Sequence, residues 1–218
     1  GKDEDYLVTQ RVTRGIDTAD RTHWPEWDGP TIIVECLPLP LTARAASYRD
    51  GLDIITPSVR RVAPDMVSPR AKNHNYLNLI LGDLEVSAQD PNAMAILLDE
   101  NGNLSEGKGS NIFLVSDGVI RTPKERYVLP GVSRAVVREM AEGLGLIFED
   151  KDIDLFDAYN AEECFISSTS FCVCPVRSVN GNALPGDYPG PITRQIIDAY
   201  IAYVGFDWYA QYLNRLDA

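Results

Sequence analysis

Short apolar runs broken by tight turns recur along most of this chain, and helix-like spacing is confined to three stretches, so strands must supply most of its framework. Residues 6–13 (YLVTQRVT) and 31–37 (TIIVECL) read as strands, with the polar DTADRTHWPEWDGP between them as a loop. PLPLTARAASYRDG (38–51) reads as a connection between domains, stiffened at its start by Pro38 and Pro40. LDIITPSVRRV (52–62) is expected to be a strand entering a Pro-bounded turn. Further strands are expected at 94–98, 111–115, 119–122, in GLIFEDKDID, in ECFISST and in CVCPVRSV. Asp117-Gly118 and Asn180-Gly181 are the turn signals of two hairpins. Apolar residues at 77, 80, 81 and 84 predict a helix over 75–87, and Val136, Val137, Met140, Ala141 and Leu144 predict one over 133–144. A closing helix over 191–204 would turn Ile192, Ile196, Ile197, Tyr200 and Val204 inward. The expected class is therefore mixed α/β.

With 218 residues, 44% of them apolar, the chain can form one large domain or two modest ones. No run approaches the roughly 18 apolar residues of a membrane span, and GKDEDYLVTQ contains no apolar signal region. A net charge of −12 argues against nucleic acid or an anionic membrane as partner. It also leaves any bound phosphate to local backbone dipoles and hydroxyls. Cys36, Cys164, Cys172 and Cys174 form no paired CxxC, and only two histidines accompany them, so no metal site is expected. The four thiols read as reduced and the protein as cytoplasmic.

Four segments carry candidate chemistry. VRRVAPDMVSPRAKNHNYLNL (59–79) brings Lys72 to the start of a helix, LSEGKGSNIFLV (104–115) brings Glu106 in a turn, LPGVSR (129–134) opens the next helix, and FISSTSF (165–171) is a hydroxyl-rich turn. Singly, each has an ordinary reading: a surface lysine, a turn glutamate, a helix entry, a strand end. Together they supply an amine nucleophile, a carboxylate for a pyridinium nitrogen, and two anion sites for one phosphate. The anion sites are the free N–H groups of Gly131, Val132 and Ser133 at a helix start, and the hydroxyls around Thr169. That is the equipment for holding pyridoxal 5′-phosphate (PLP). His74 reads as a packing residue, and Asp152 and Asp154 as a solvated face.

These segments, with VTRG (12–15) before them and PVRSVNG (175–181) after, resemble in their order the fold-type IV PLP enzymes. That family includes branched-chain aminotransferases, D-amino-acid transaminases, (R)-selective amine transaminases and aminodeoxychorismate lyase. The resemblance implies a D-amino-acid-aminotransferase-like fold, with residues 1–44 as a remnant of the small domain and linker and 45–218 as a complete large domain. Members of the family carry on the order of a hundred further residues before VTRG, so the resemblance implies a shortened small domain. It implies Lys72 as the Schiff-base lysine and catalytic residue. It further implies Glu106, Tyr76, Arg61, Gly131, Val132, Ser133, Ser168 and Thr169 as cofactor contacts, and Arg14 and Ser170 as substrate contacts. Tyr76 follows the lysine one residue earlier than in branched-chain members, a spacing closer to the (R)-amine group. The implied reaction is transamination between an amino acid or (R)-amine and a 2-oxo acid, in a homodimer. A PLP lyase and a non-catalytic relative are the alternatives.

Overall fold

The computed structural model describes residues 5–15 and 29–216, and the chain divides into two units, Gly1–Pro40 and Leu41–Ala218. The first unit holds one antiparallel pair, β1 (Tyr6–Val12) and β2 (Ile32–Pro38), in register from Tyr6 opposite Pro38 to Val12 opposite Ile32. Both strands fall where the apolar runs predict them. Val8, Val12, Ile32 and Val34 are exposed. The polar stretch 17–30 lies outside the described residues, apart from its last two positions.

The second unit opens with α1 (Leu41–Asp50), where the sequence reading expects a connection. LTARAASYRD is rich in good helix formers, but it buries only Leu41, Ala45 and Tyr48, too narrow an apolar stripe to announce itself. Tyr48 is fully buried; its hydroxyl donates to the Phe171 carbonyl at 2.7 Å, and its ring stacks on Tyr212 at 4.1 Å. Tyr212 belongs to α6 (Trp208–Leu213), a six-residue helix capped by the Asp207 carboxylate and too short to leave a periodic signal.

The main sheet runs β4 (Met94–Ala95), β3 (Leu52–Ile55), β9 (Cys172–Val179), β8 (Glu163–Ser168), β5 (Asn111–Ser116), β6 (Val119–Pro123), β7 (Ile147–Lys151), with β10 (Asn182–Ala183) added to β9. Its centre is antiparallel, and the β3–β4, β3–β9 and β6–β7 pairs are parallel. This is the mixed α/β class expected. β5 and β8 are buried through five of their six residues, and Phe113 stacks on its cross-strand partner Phe165 at 4.7 Å. Asp117-Gly118 and Asn180-Gly181 both take left-handed φ values, 54° and 72° in the first turn, 51° and 77° in the second. Such turns match the twist of the strands they join.

Helix α2 (Leu77–Gln89) lies where predicted but is turned the other way. Leu77, Ile80, Leu81 and Leu84 are exposed, and Leu79, Gly82 and Val86 face the core. Gly82 explains the inversion, because a Cβ there would stand 2.9 Å from Leu97 Cδ1 and 3.1 Å from Pro57 Cγ. Close packing requires a residue without a side chain, and that residue interrupts the apolar pattern of the buried face. α3 (Val132–Gly143) buries Val137 and Ala141, but it also buries Ser133 and Arg134, and Leu144 is exposed. Asp154, read as part of a solvated face, caps the short α4 (Leu155–Tyr159) in a reciprocal box with Asp157. α5 (Pro191–Val204) starts on Pro191 and stops at the left-handed Gly205; it buries Thr193, Ile196, Ile197 and Tyr200, and Val204 stays exposed. Among the described residues no helix is long and apolar enough to cross a membrane.

The start of α5 is held by a buried carboxylate from β8. Glu163 Oε1 accepts from Ile192 N at 2.8 Å and Oε2 accepts from Thr193 N at 2.7 Å. Gly190 lies so close that an added Cβ would meet Glu163 Cδ at 2.4 Å. Replacing Glu163 with Ala is expected to cost about 2 kcal/mol of unfolding free energy, the upper range for losing a helix cap, read from urea denaturation. Glu163→Gln keeps one acceptor and should lose about half of that.

Candidate active site

Three loops meet at one cavity of about 370 Å³, and all of its lining residues belong to the second unit. The first loop, residues 56–76, connects β3 to α2 and is folded back onto that helix by polar side chains. Asn78 Oδ1 accepts from Val62 N at 3.0 Å, and Asn78 Nδ2 donates to Arg60 O at 2.6 Å. Glu85 accepts from the backbone N–H and hydroxyl of Ser58 at 2.6 and 2.8 Å. Lys72 is thereby carried to the cavity wall one turn before α2, where its Nζ donates to the Tyr76 hydroxyl at 3.3 Å.

The second loop is the turn 104–111 that enters β5. Gly107 is required there, since a Cβ would meet Ser110 Oγ at 2.6 Å and Ala95 O at 3.0 Å. The turn aims Glu106 inward, and the residue is 5% exposed. Its two oxygens are divided between neighbours: Oε1 accepts from Arg61 Nε at 2.9 Å, and Oε2 accepts from Leu129 N at 2.9 Å. Burial pushes the Glu106 carboxyl above its ordinary value, and the Leu129 N–H, the Arg61 guanidinium and the more distant Lys72 ammonium pull it back without cancelling that rise.

The third loop, 127–131, delivers the start of α3 to the same wall. Gly131 is the N-cap, and no side chain caps the helix. The first helical bond runs from Ala135 N to Gly131 O, so the N–H groups of Val132, Ser133 and Arg134 have no partner within the helix. The Gly131 N–H, expected to be free, instead donates to the Leu129 carbonyl at 2.8 Å, because Pro130 closes a tight turn there. Burial pushes the Tyr200 hydroxyl of α5 above its ordinary value, and the nearby Ser133 side chain opposes that rise. Ser167 and Ser168 at the end of β8 and Thr169 in the following turn also line the cavity, and Ser168 Oγ accepts from Phe171 N at 3.0 Å. Two buried hydroxyls in the lining, Ser110 Oγ and Ser167 Oγ, have no hydrogen-bond partner in the protein. Both hydroxyls are free to bond to a polar group in the cavity.

Of the residues singled out in the sequence, Arg61, Lys72, Tyr76, Glu106, Gly131, Val132, Ser133, Ser168 and Thr169 all line this cavity. Ser170 is not among the lining residues; Arg44 Nη1 donates to its hydroxyl at 3.0 Å, and the Tyr212 hydroxyl donates to its carbonyl at 2.7 Å. Arg14 lies in the first unit, two residues beyond β1. His74 stands edge-on to Tyr76 at 5.8 Å. Sequence reasoning missed Ser110, Asn111 and Ser167. The available signal was the run of polar residues at the mouths of β5 and β8, two neighbouring strands otherwise apolar. An amine, a buried carboxylate, a free helix start and unpartnered hydroxyls around one cavity fit a molecule carrying a carbonyl, a basic ring nitrogen and a phosphate.

A family model described as amino-transferase class IV matches residues 2–179. A protein of Methanocaldococcus jannaschii is 34% identical over 198 residues, covering 90% of this chain and 66% of that protein. The branched-chain-amino-acid aminotransferase of Escherichia coli K12 is 33% identical over 171 residues, covering 78% of this chain and 55% of that enzyme. Among solved structures, a T.th. branched-chain amino acid aminotransferase with pyridoxamine 5′-phosphate overlays with a TM-score of 0.78 at 26% identity, covering 92% of this chain and 66% of that one. The chain thus spans between 55% and 66% of the length of these relatives.

The Arg61–Glu106 pair yields a pH-dependent test. A carboxyl whose proton is held more tightly in the folded chain contributes stability below its unfolded value of 4.5 and loses that contribution as pH rises through the raised folded value. Arg61 limits the loss. In Arg61→Met the carboxylate stays buried without its counter-charge, so the deficit against the unaltered protein should be small below pH 4.5 and grow to about 3 kcal/mol at neutral pH. Urea denaturation across that range measures it. A deficit independent of pH would mean that Arg61 acts through packing alone.

Proposed function

The chain belongs to the class IV aminotransferases, and we propose that it forms the cofactor-holding part of an enzyme that uses PLP to move an amino group from an amino acid to a 2-oxo acid. The observation that carries this reading is the convergence of Lys72, Glu106 and the uncapped start of α3 on one cavity. The pyridoxamine 5′-phosphate named for the T.th. relative supports the choice of cofactor. When bound, PLP supplies an electron-withdrawing ring that stabilises the negative charge left on a donor's α-carbon when its proton departs.

The protein's own groups divide the remaining work. The N–H groups of Val132 and Ser133, with the hydroxyls of Ser133, Ser167, Ser168 and Thr169, would bind the phosphate. The positive end of the α3 dipole favours it there against the chain's overall negative charge. Glu106, braced by Arg61 and Leu129, holds a proton on the ring nitrogen. Tyr76 orients the Lys72 amine through their 3.3 Å hydrogen bond. Lys72 Nζ would take the α-proton from the amino donor as base and deliver it as acid to the cofactor carbon that carries the donor's nitrogen. The same residues serve donor and acceptor in turn, giving a two-stage exchange.

Branched-chain amino acids and their 2-oxo acids are the proposed substrates, because the relatives named above act on that class by their names. (R)-amines are a second reading, because Tyr76 follows Lys72 by four residues, a spacing that resembles the (R)-amine transaminase group. A homodimer is proposed on the exposed stripe Leu77, Ile80, Leu81 and Leu84, which lies on the helix that follows Lys72. Unpaired thiols at Cys36, Cys164, Cys172 and Cys174 suit a reducing, cytoplasmic compartment.

Borohydride reduction of the protein mixed with PLP should add one phosphopyridoxyl group, located on Lys72 by peptide mass spectrometry and lost in Lys72→Ala. No adduct would leave a non-catalytic relative as the reading. Pyridoxamine phosphate formed on adding leucine or valine supports transamination, and its absence despite a Lys72 adduct would favour a lyase. For assembly, Leu81→Asp is expected to convert dimer to monomer in sedimentation velocity, and an unchanged dimer would remove α2 from the interface.

A further inference from the structure

Both backbone groups of Leu129 are gripped by side chains of one turn. Its N–H donates to Glu106 Oε2 at 2.9 Å, and its carbonyl accepts from Asn111 Nδ2 at 3.1 Å. The same carbonyl accepts from Gly131 N at 2.8 Å, closing a three-residue turn over Pro130 that feeds directly into α3. Asn111 is 7% exposed and occupies the first position of β5, paired across the sheet with Ser167, so its backbone is anchored. Its side-chain oxygen lies against Gly131: a Cβ at that glycine would stand 2.4 Å from Asn111 Oδ1, with the next atoms no nearer than 3.6 Å. One carboxamide therefore fixes the carbonyl of the turn with its nitrogen and the glycine of the turn with its oxygen.

We propose that Asn111 is a positioning residue of this site, which sets the separation between the Glu106 carboxylate and the anion-binding start of α3. The proposal rests on the PLP reading above. Glu106 and Asn111 face each other across a bridge, and Gly107 N donates to Ser110 O at 3.0 Å, so the two side chains leave one closed turn. A rigid ligand with a ring nitrogen at one end and a phosphate at the other can satisfy both ends only if the protein holds them at a fixed spacing. Glu106 serves the nitrogen end. The Asn111 carboxamide is engaged with Leu129 and Gly131, and through them it acts on the phosphate end. Loss of its carboxamide should weaken the phosphate contribution and leave the ring contribution in place.

The test compares PLP with pyridoxal, the same ring without phosphate, by titrating the full chain and following ligand absorbance. Asn111→Ala and the equally sized Asn111→Asp, which cannot donate to the Leu129 carbonyl when ionised, should each bind PLP about tenfold more weakly. Their affinity for pyridoxal should stay within about twofold of the unaltered protein. Gly131→Ala should show the same selective loss. Adding it to Asn111→Ala should cost nothing further, because the methyl enters the space left by Oδ1. Asn111→Asp keeps the comparison open if the alanine variant does not fold. An unchanged ratio of PLP to pyridoxal affinity, or equal losses for both ligands, overturns the role of Asn111 and leaves the PLP reading standing. No preference for PLP over pyridoxal in the unaltered protein overturns both.

Discussion

A carboxylate withdrawn from water must be met by donors, and Glu106 draws three segments together to give each of its oxygens one. Arg61 arrives from the loop after β3, Leu129 N from the loop before α3, and Glu106 itself from the turn before β5. Each segment has its own local reasons for its shape, but the shared carboxyl makes them one wall. Burial still raises the proton affinity of the group. Desolvation and the two donors therefore act on this carboxyl in opposite directions, and a cation placed nearby would interact with its charged form more strongly than in water.

The sheet makes that arrangement rigid. Asn111 and Ser167 are register partners on β5 and β8, so the wall carrying the uncapped helix start and the wall carrying the hydroxyl turn are tied through one backbone ladder. A slip of one residue would exchange the inward and outward faces of both strands and dismantle the cavity. The stacked pair Phe113 and Phe165, two positions further along the same ladder, resists such a slip. Loops bear the chemistry and buried strands hold the loops in place.

Some of this could be read before any coordinates, and the failures have physical causes. The strands were legible because apolar runs and Asp-Gly or Asn-Gly turns are local signals. The orientation of α2 was not, because Gly82 occupies the centre of its buried face and pure periodicity counts glycine as absent. α1 and α6 were illegible for a related reason: they bury aromatic rings against one another, Tyr48 on Tyr212, and each has little stripe of its own. Asp154 looked like one more surface acid, and only the chain direction after it makes it a cap.

In the site, the amino-acid order by itself determined the chemical inventory: a lysine before a helix, a glutamate in a glycine turn, an uncapped Pro-Gly helix entry and a serine-threonine turn. Each of those is a property of a few adjacent residues, and short-range sterics and hydrogen bonding specify it. Tertiary structure alone decided which of them share a cavity and which partners tune them. It gave Glu106 to Arg61 and Leu129, assigned Ser170 to Arg44 and Tyr212, and made an asparagine at a strand entrance the neighbour of a glycine twenty residues away. Such contacts arise from packing between segments distant in sequence, and local composition carries no record of them.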